Sequence, residues 1–172
     1  MNAAHLHIII THLPVFASLF GFFILSYALW VDDAKISKIA YGLFIAAGIG
    51  AVIAYQSGES AEHVVEGVVT SAEPYIEAHE ELALWAMIST GLLGLASVAV
   101  WGFISFIPRI SKSLNLALLA LSLGSLVILG ITANRGGKIR HTEIRQEQTT
   151  ANIQEDSYQN DYSAEEQEEN DD

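Results

Sequence analysis

The sequence predicts an all-α fold: a four-helix transmembrane bundle with a helical acidic loop between its second and third helices and a disordered acidic C-terminal tail. Three observations carry that reading. Charged residues are absent from residues 1–31, 39–58, 82–108 and 113–134, and each gap consists mostly of Leu, Ile, Val, Phe, Ala and Gly. The net charge of −12, from 20 acids and 8 bases, belongs largely to residues 146–172, which hold ten Asp and Glu and no Lys or Arg. All six histidines fall on the side of the membrane that a four-span topology assigns to the termini.

A helix needs about 20 apolar residues to cross the hydrocarbon core, and all four gaps reach that length. The first span is expected near Ile8 to Trp30. With no Lys or Arg ahead of it and more residues than a simple apolar leader, it reads as a retained helix rather than a cleaved signal peptide. The second is expected near Ile39 to Tyr55, where Ala46, Gly50 and Ala54 recur at every fourth position and permit close approach of a neighbour. The third and fourth are expected near Leu82 to Phe106 and Leu114 to Ala133. Trp30, Tyr55, Trp85 and Trp101 fall at or near span ends, where interfacial aromatics belong. A soluble four-helix bundle would show polar faces at helical period, and these segments show none.

Domain organisation follows: a membrane domain over 1–145 and a tail over 146–172, rich in Gln, Asn, Glu and Asp and poor in aliphatic residues. Lys35, Lys38, Arg109 and Lys112 sit in the two short connections, and Arg135, Lys138, Arg140 and Arg145 follow the fourth span, a tie at four each. The first span's flanks break the tie, with no base before it and two after it. The termini and the histidines are therefore expected outside, with the short connections in the cytoplasm. No basic patch exists to neutralise phosphates, so nucleic acid is not an expected partner; the lipid bilayer is. The absence of cysteine excludes disulfides, thiolate catalysis and Cys-ligated metal. No phosphate-binding glycine loop, dinucleotide motif or Ser-His-Asp arrangement appears.

The polar chemistry collects at one end. The middle loop, Gln56 to Glu81, holds seven glutamates and no base. Glu59, Glu62, His63 and Glu66 follow i, i+3, i+4, i+7 spacing, one face of a helix. Pro74 suits the first turn of a new helix that runs on into the third span, with Glu73 or Ser71 as its cap, so Glu77 and His79 ride on a rigid extension. His12 lies at the start of an apolar span, where an ionisable group is costly and marks a functional candidate. His5 and His7 precede it. A helix beginning at Ala4 sets His5 and His12 about 10 Å apart along its axis. An extended segment ahead of Pro14 instead aims His5 and His7 the same way, and the sequence leaves both readings open. Gly136 and Gly137 permit a sharp turn that folds His141 back over the bundle end. Arg135 and Arg140 then either face the acidic loop or simply stop a membrane helix.

Ala4-His5-Leu6-His7, Thr11-His12-Leu13-Pro14, Gly58-Glu59-Ser60-Ala61-Glu62, Ile76-Glu77-Ala78-His79-Glu80 and Gly136-Gly137-Lys138-Ile139-Arg140-His141 occur in the order seen in an uncharacterised family of bacterial four-helix membrane proteins, a domain of unknown function. The chain resembles that family over about residues 4–145. The resemblance implies a four-helix domain in a bacterial envelope and no particular reaction. His63, where the family more often has an acidic residue, and Thr11, where Asn is expected, depart from the pattern.

Three functions are open at this stage. The first is a His/Glu transition-metal centre (Fe, Zn, Cu or Mn) with a redox or metal-handling role. Its ligand candidates are His12, His79 and His141 with Glu62, Glu66 and Glu77, then His5 and His7 at a second position, with Arg140 and Glu143 orienting the ligands. The second is a b-type haem electron-transfer subunit with axial ligands drawn from His12, His79 and His141, in which glycines at 21, 91, 94, 124 and 130 make room for the macrocycle. The third is a non-catalytic structural or assembly subunit of a membrane complex, whose partners are other membrane or redox subunits.

Overall fold

The computed structural model describes residues 3–66, 73–104 and 112–141, and the acidic tail lies outside them. The chain divides into two compact units, Met1–Gly136 and Gly137–Asp172. Among the described residues the structure is helical, with no strand: α1 (Ala3–Ile10), α2 (His12–Val31), α3 (Ala34–Glu66), α4 (Glu73–Ile104) and α5 (Lys112–Arg140). Thr11 keeps helical angles, φ −61° and ψ −23°, and its N–H donates to the His7 carbonyl at 3.0 Å. α1 and α2 therefore make a single span. Pro14, third residue of α2, is buried and has no N–H to return to Ile10, which is why a helical boundary falls just ahead of it.

Four helical segments are long and apolar enough to cross a membrane: Ala4–Val31, Ala34–Glu62, Glu73–Gly102 and Lys112–Ile139. Their packing is that of a membrane bundle. Large apolar side chains such as Phe20, Phe23, Ile49, Leu92, Leu95 and Leu116 point outward, while Ser18, Thr90, Ser97, Ser122 and Ser125 are buried inside. Lipid tails are as apolar as leucine, so close packing of small residues, not burial of large ones, brings such helices together. α3 and α4 cross at Gly48 and Gly94, where a Cβ on either would lie 3.3 Å from the other's Cα. The apolar core, Leu25, Ala40, Tyr41, Phe44, Leu93, Val100 and Leu118, draws on all four spans.

The connection after α2 is a two-residue turn made by two aspartates. Asp32 closes α2 in the left-handed region, φ 57° and ψ 42°, which Asp tolerates better than most residues. Asp33 opens α3, its Oδ1 accepting from the Lys35 N–H at 2.7 Å and the Ile36 N–H at 3.4 Å, a side-chain N-cap. Asp32 also meets Lys112 at 3.1 Å. That exposed pair adds little stability, but it places the turn after α2 beside the start of α5, on one side as the topology requires. Near that end the Tyr41 hydroxyl donates to the Asn115 side chain between α3 and α5. Tyr41→Phe, which keeps the ring and removes the bond, is expected to cost about 1 kcal/mol, read as a lower midpoint in detergent unfolding.

The burial pattern repeats. A shift of 72 residues, which carries His7 onto His79, carries buried Pro14, Ser18, Gly21 and Leu25 onto buried Ala86, Thr90, Leu93 and Ser97. The span made by α1 and α2 and the span made by α4 present the same buried register to their neighbours. The identities differ at each position, so the repeat lies in which face turns inward rather than in the residues themselves.

Candidate functional site

Two histidines turn into the bundle at the end that carries the termini. α1 is helical, so His5 and His7 project about 200° apart, and the extended alternative with both aimed together does not occur. His5 is exposed and His7 half-buried against α3. The His7 Nδ1 lies 2.9 Å from the Ala54 carbonyl and 3.2 Å from the Ser57 hydroxyl. A carbonyl only accepts, so Nδ1 carries the proton and Nε2 holds a free lone pair. The Ser57 hydroxyl itself donates to Ala54 O at 3.0 Å. One turn beyond Ala54, Gly58 lies beneath the ring, and a Cβ there would come 3.4 Å from His7 Cε1.

His79, half-buried on α4, repeats this arrangement against α5. Its Nδ1–H donates to the Thr132 carbonyl at 3.0 Å, which again leaves Nε2 available. The Thr132 hydroxyl donates to Ile128 O at 2.8 Å and reaches Leu82 O at 3.3 Å, tying α5 to α4 just below the ring. One turn beyond Thr132 is Gly136, where a Cβ would lie 3.0 Å from His79 Cε1 and 3.2 Å from Nδ1. The two imidazoles are within electrostatic range of each other. Buried Ala61 and Ile76 lie beyond them on α3 and α4.

The chain matches no family, no curated protein and no solved structure. What this end of the bundle can do therefore rests on its own geometry. Each ring has its tautomer fixed by a backbone acceptor, the arrangement that holds an imidazole ready to ligate metal through its second nitrogen. Among the described residues no three His, Asp or Glu side chains converge in a way that could hold a metal ion.

The remaining candidates are dispersed. His12 is exposed; its Nδ1–H donates to Ile8 O at 2.8 Å, and its ring stacks on Phe16, which stacks on Phe20, each pair 6.2 Å apart on the outer face of α2. Glu77 is exposed on α4, two residues from His79 and so directed away from it. Glu62 is half-buried near the end of α3. α3 ends at Glu66 and α5 at Arg140, but the side chains of His63, Glu66 and Arg140, and all of Glu143, lie outside the described residues. His141 follows α5 and is exposed.

Two expectations about glycine need correcting. Gly136 and Gly137 make no turn: α5 runs through both to Arg140, no glycine among the described residues has positive φ, and the His141 N–H donates to Gly137 O at 3.0 Å in helical continuation. Gly136 is there for close approach of a ring, which gives the same sequence signal as a turn. Of the glycines expected to make room for a macrocycle, Gly21 is filled by Phe44 and Gly94 by the crossing with Gly48, while 91, 124 and 130 face open space. The glycines that do border an imidazole are Gly58 and Gly136.

Proposed function

We propose that this chain is a b-type haem membrane protein that carries electrons as a subunit of a larger redox assembly, with His7 and His79 as the two axial ligands. The supporting observation is the pair of inward imidazoles, each with Nδ1–H bound to a carbonyl and Nε2 free, in the absence of a third His, Asp or Glu partner among the described residues. Two imidazoles are too few to enclose a bare ion. They are enough for haem iron, because the porphyrin supplies four further nitrogens. The bound group would supply one-electron chemistry. The chain's own residues set ring orientation through Ala54 and Thr132, raise imidazole basicity through those bonds, and exclude lipid by packing of the four spans.

The charge flanking the first span supports an orientation with this end outside, and residence in a bacterial inner membrane, facing the periplasm, and membership of the four-helix family it resembles are part of the same proposal. The reading is tested by the absorption spectrum and metal content of protein purified in mild detergent. A low-spin Soret band with one iron per chain is expected. A colourless protein carrying stoichiometric zinc, copper or manganese would instead return the site to a His/Glu ion centre, built with carboxylates such as Glu62 or Glu66.

A further inference from the structure

We infer that Gly136 is a positioning residue, the seat of the His79 imidazole, at the place in the second helical hairpin that Gly58 holds beneath His7 in the first. The repeat in α2 and α4 has a counterpart in the second helix of each hairpin. A shift of 78 residues carries buried Ala40, Phe44, Ala47, Ala51 and Ala54 of α3 onto buried Leu118, Ser122, Ser125, Leu129 and Thr132 of α5. The same shift carries Gly58 onto Gly136. In each hairpin the first helix supplies a histidine, while the second supplies a carbonyl acceptor and, four residues on, a glycine under the ring. Four residues is one helical turn, so acceptor and glycine stack on one face and together define where the ring can lie.

The glycines are costly to keep. Each lowers helix stability by roughly 1 kcal/mol relative to alanine, and α3 and α5 run unbroken through both positions, so neither serves as a cap. What the missing methyl provides differs between the two positions. At Gly136 a Cβ would press on His79 at 3.0 Å from Cε1 and 3.2 Å from Nδ1, closer than an unstrained contact; at Gly58 the nearest ring atom would be 3.4 Å away, an ordinary contact. Gly136→Ala therefore forces the His79 ring to tilt and stretches its bond to Thr132. Gly58→Ala leaves His7 nearly in place.

The inference rests on the haem reading only for what the rings hold, and its test is made on the haem-free full chain. In protein labelled with nitrogen-15 at histidine, Gly136→Ala is expected to shift the His79 Nδ1–H resonance and to speed its exchange with solvent about tenfold, with His7 unmoved. Gly58→Ala should give a much smaller change at His7. Gly130→Ala, on the same helix with nothing within 4 Å of its Cβ, controls for helix propensity and should leave both signals alone. The inference is overturned if Gly136→Ala leaves the His79 signal as in the wild type, or if Gly130→Ala moves it equally. Loss of fold in Gly136→Ala alone, seen as collapse of all histidine signals, would also overturn it, since a seat acts on one ring. Failure of the purified protein to hold haem removes the cofactor assignment without touching these outcomes. Where haem is bound, Gly136→Ala is further expected to shift its reduction potential while Gly130→Ala does not.

Discussion

On the haem assignment proposed above, His79→Ala and His7→Ala are each expected to abolish the low-spin spectrum, with haem content falling about tenfold or more. A haem held by these two imidazoles would lose one of its two protein ligands when either is removed. Each ring offers one Nε2 and has its Nδ1–H on one carbonyl, so the expected losses are comparable. His12→Ala, His5→Ala and His141→Ala are expected to keep the spectrum: the His12 ring faces outward beside Phe16, and His5 and His141 are exposed. Spectra and pyridine haemochrome content of the five variants, purified identically, decide the matter. Should His12→Ala lose as much haem as His79→Ala, the pairing proposed here is wrong.

The largest effect on stability is expected at Gly21. A Cβ there would lie 2.5 Å from Phe44 Cε1 and 2.7 Å from Cδ1, and Phe44 is fully buried among core side chains, with no empty direction to turn. Gly21→Ala is therefore expected to destabilise the bundle by about 1–3 kcal/mol, the usual cost of overpacking, despite the better helix propensity of alanine. Gly124→Ala, with nothing near its Cβ, keeps the propensity gain of about 1 kcal/mol and meets no clash. Unfolding midpoints of the two variants should move in opposite directions, and a stabilised Gly21→Ala would show that α2 and α3 are looser than their packing indicates.

The spans were legible from the sequence because a membrane helix has to exclude charge over its whole length, a signal that composition alone reveals. The start of α4 at Glu73, next to Pro74, was also legible, from first-turn proline chemistry, whereas the run of α3 beyond Tyr55 to Glu66 was not, since acidic residues there read as a loop outside the span. The site was legible only in part. His79 stood out, since an unbroken helical pattern carries it into the third span. His7 was ambiguous because Pro14 is compatible with either helix or extended chain before it, and only the helix sends His7 inward and His5 outward. Ala54 and Thr132 act through backbone carbonyls, which every residue has, so nothing in their side chains announced them. Gly136 was visible but read as a turn, as a glycine needed for φ freedom and one needed for close approach look alike in sequence. The two histidines lie 72 residues apart and the two glycines 78, so the repeat of the two hairpins has no single period that the sequence alone would show.

That repeat bears on how the chain is held together. The first hairpin contributes Leu25, Ala40, Tyr41 and Phe44 to the core and the second contributes Leu93, Val100 and Leu118, so neither half encloses this core alone, and each turns one imidazole onto the helix beside it, His7 and His79. The seam between them is the packed crossing of α3 and α4 at Gly48 and Gly94. A group gripped by both imidazoles would then act as a clasp across that seam, adding its binding energy to the packing at the end of the bundle farthest from the Asp32–Lys112 pair.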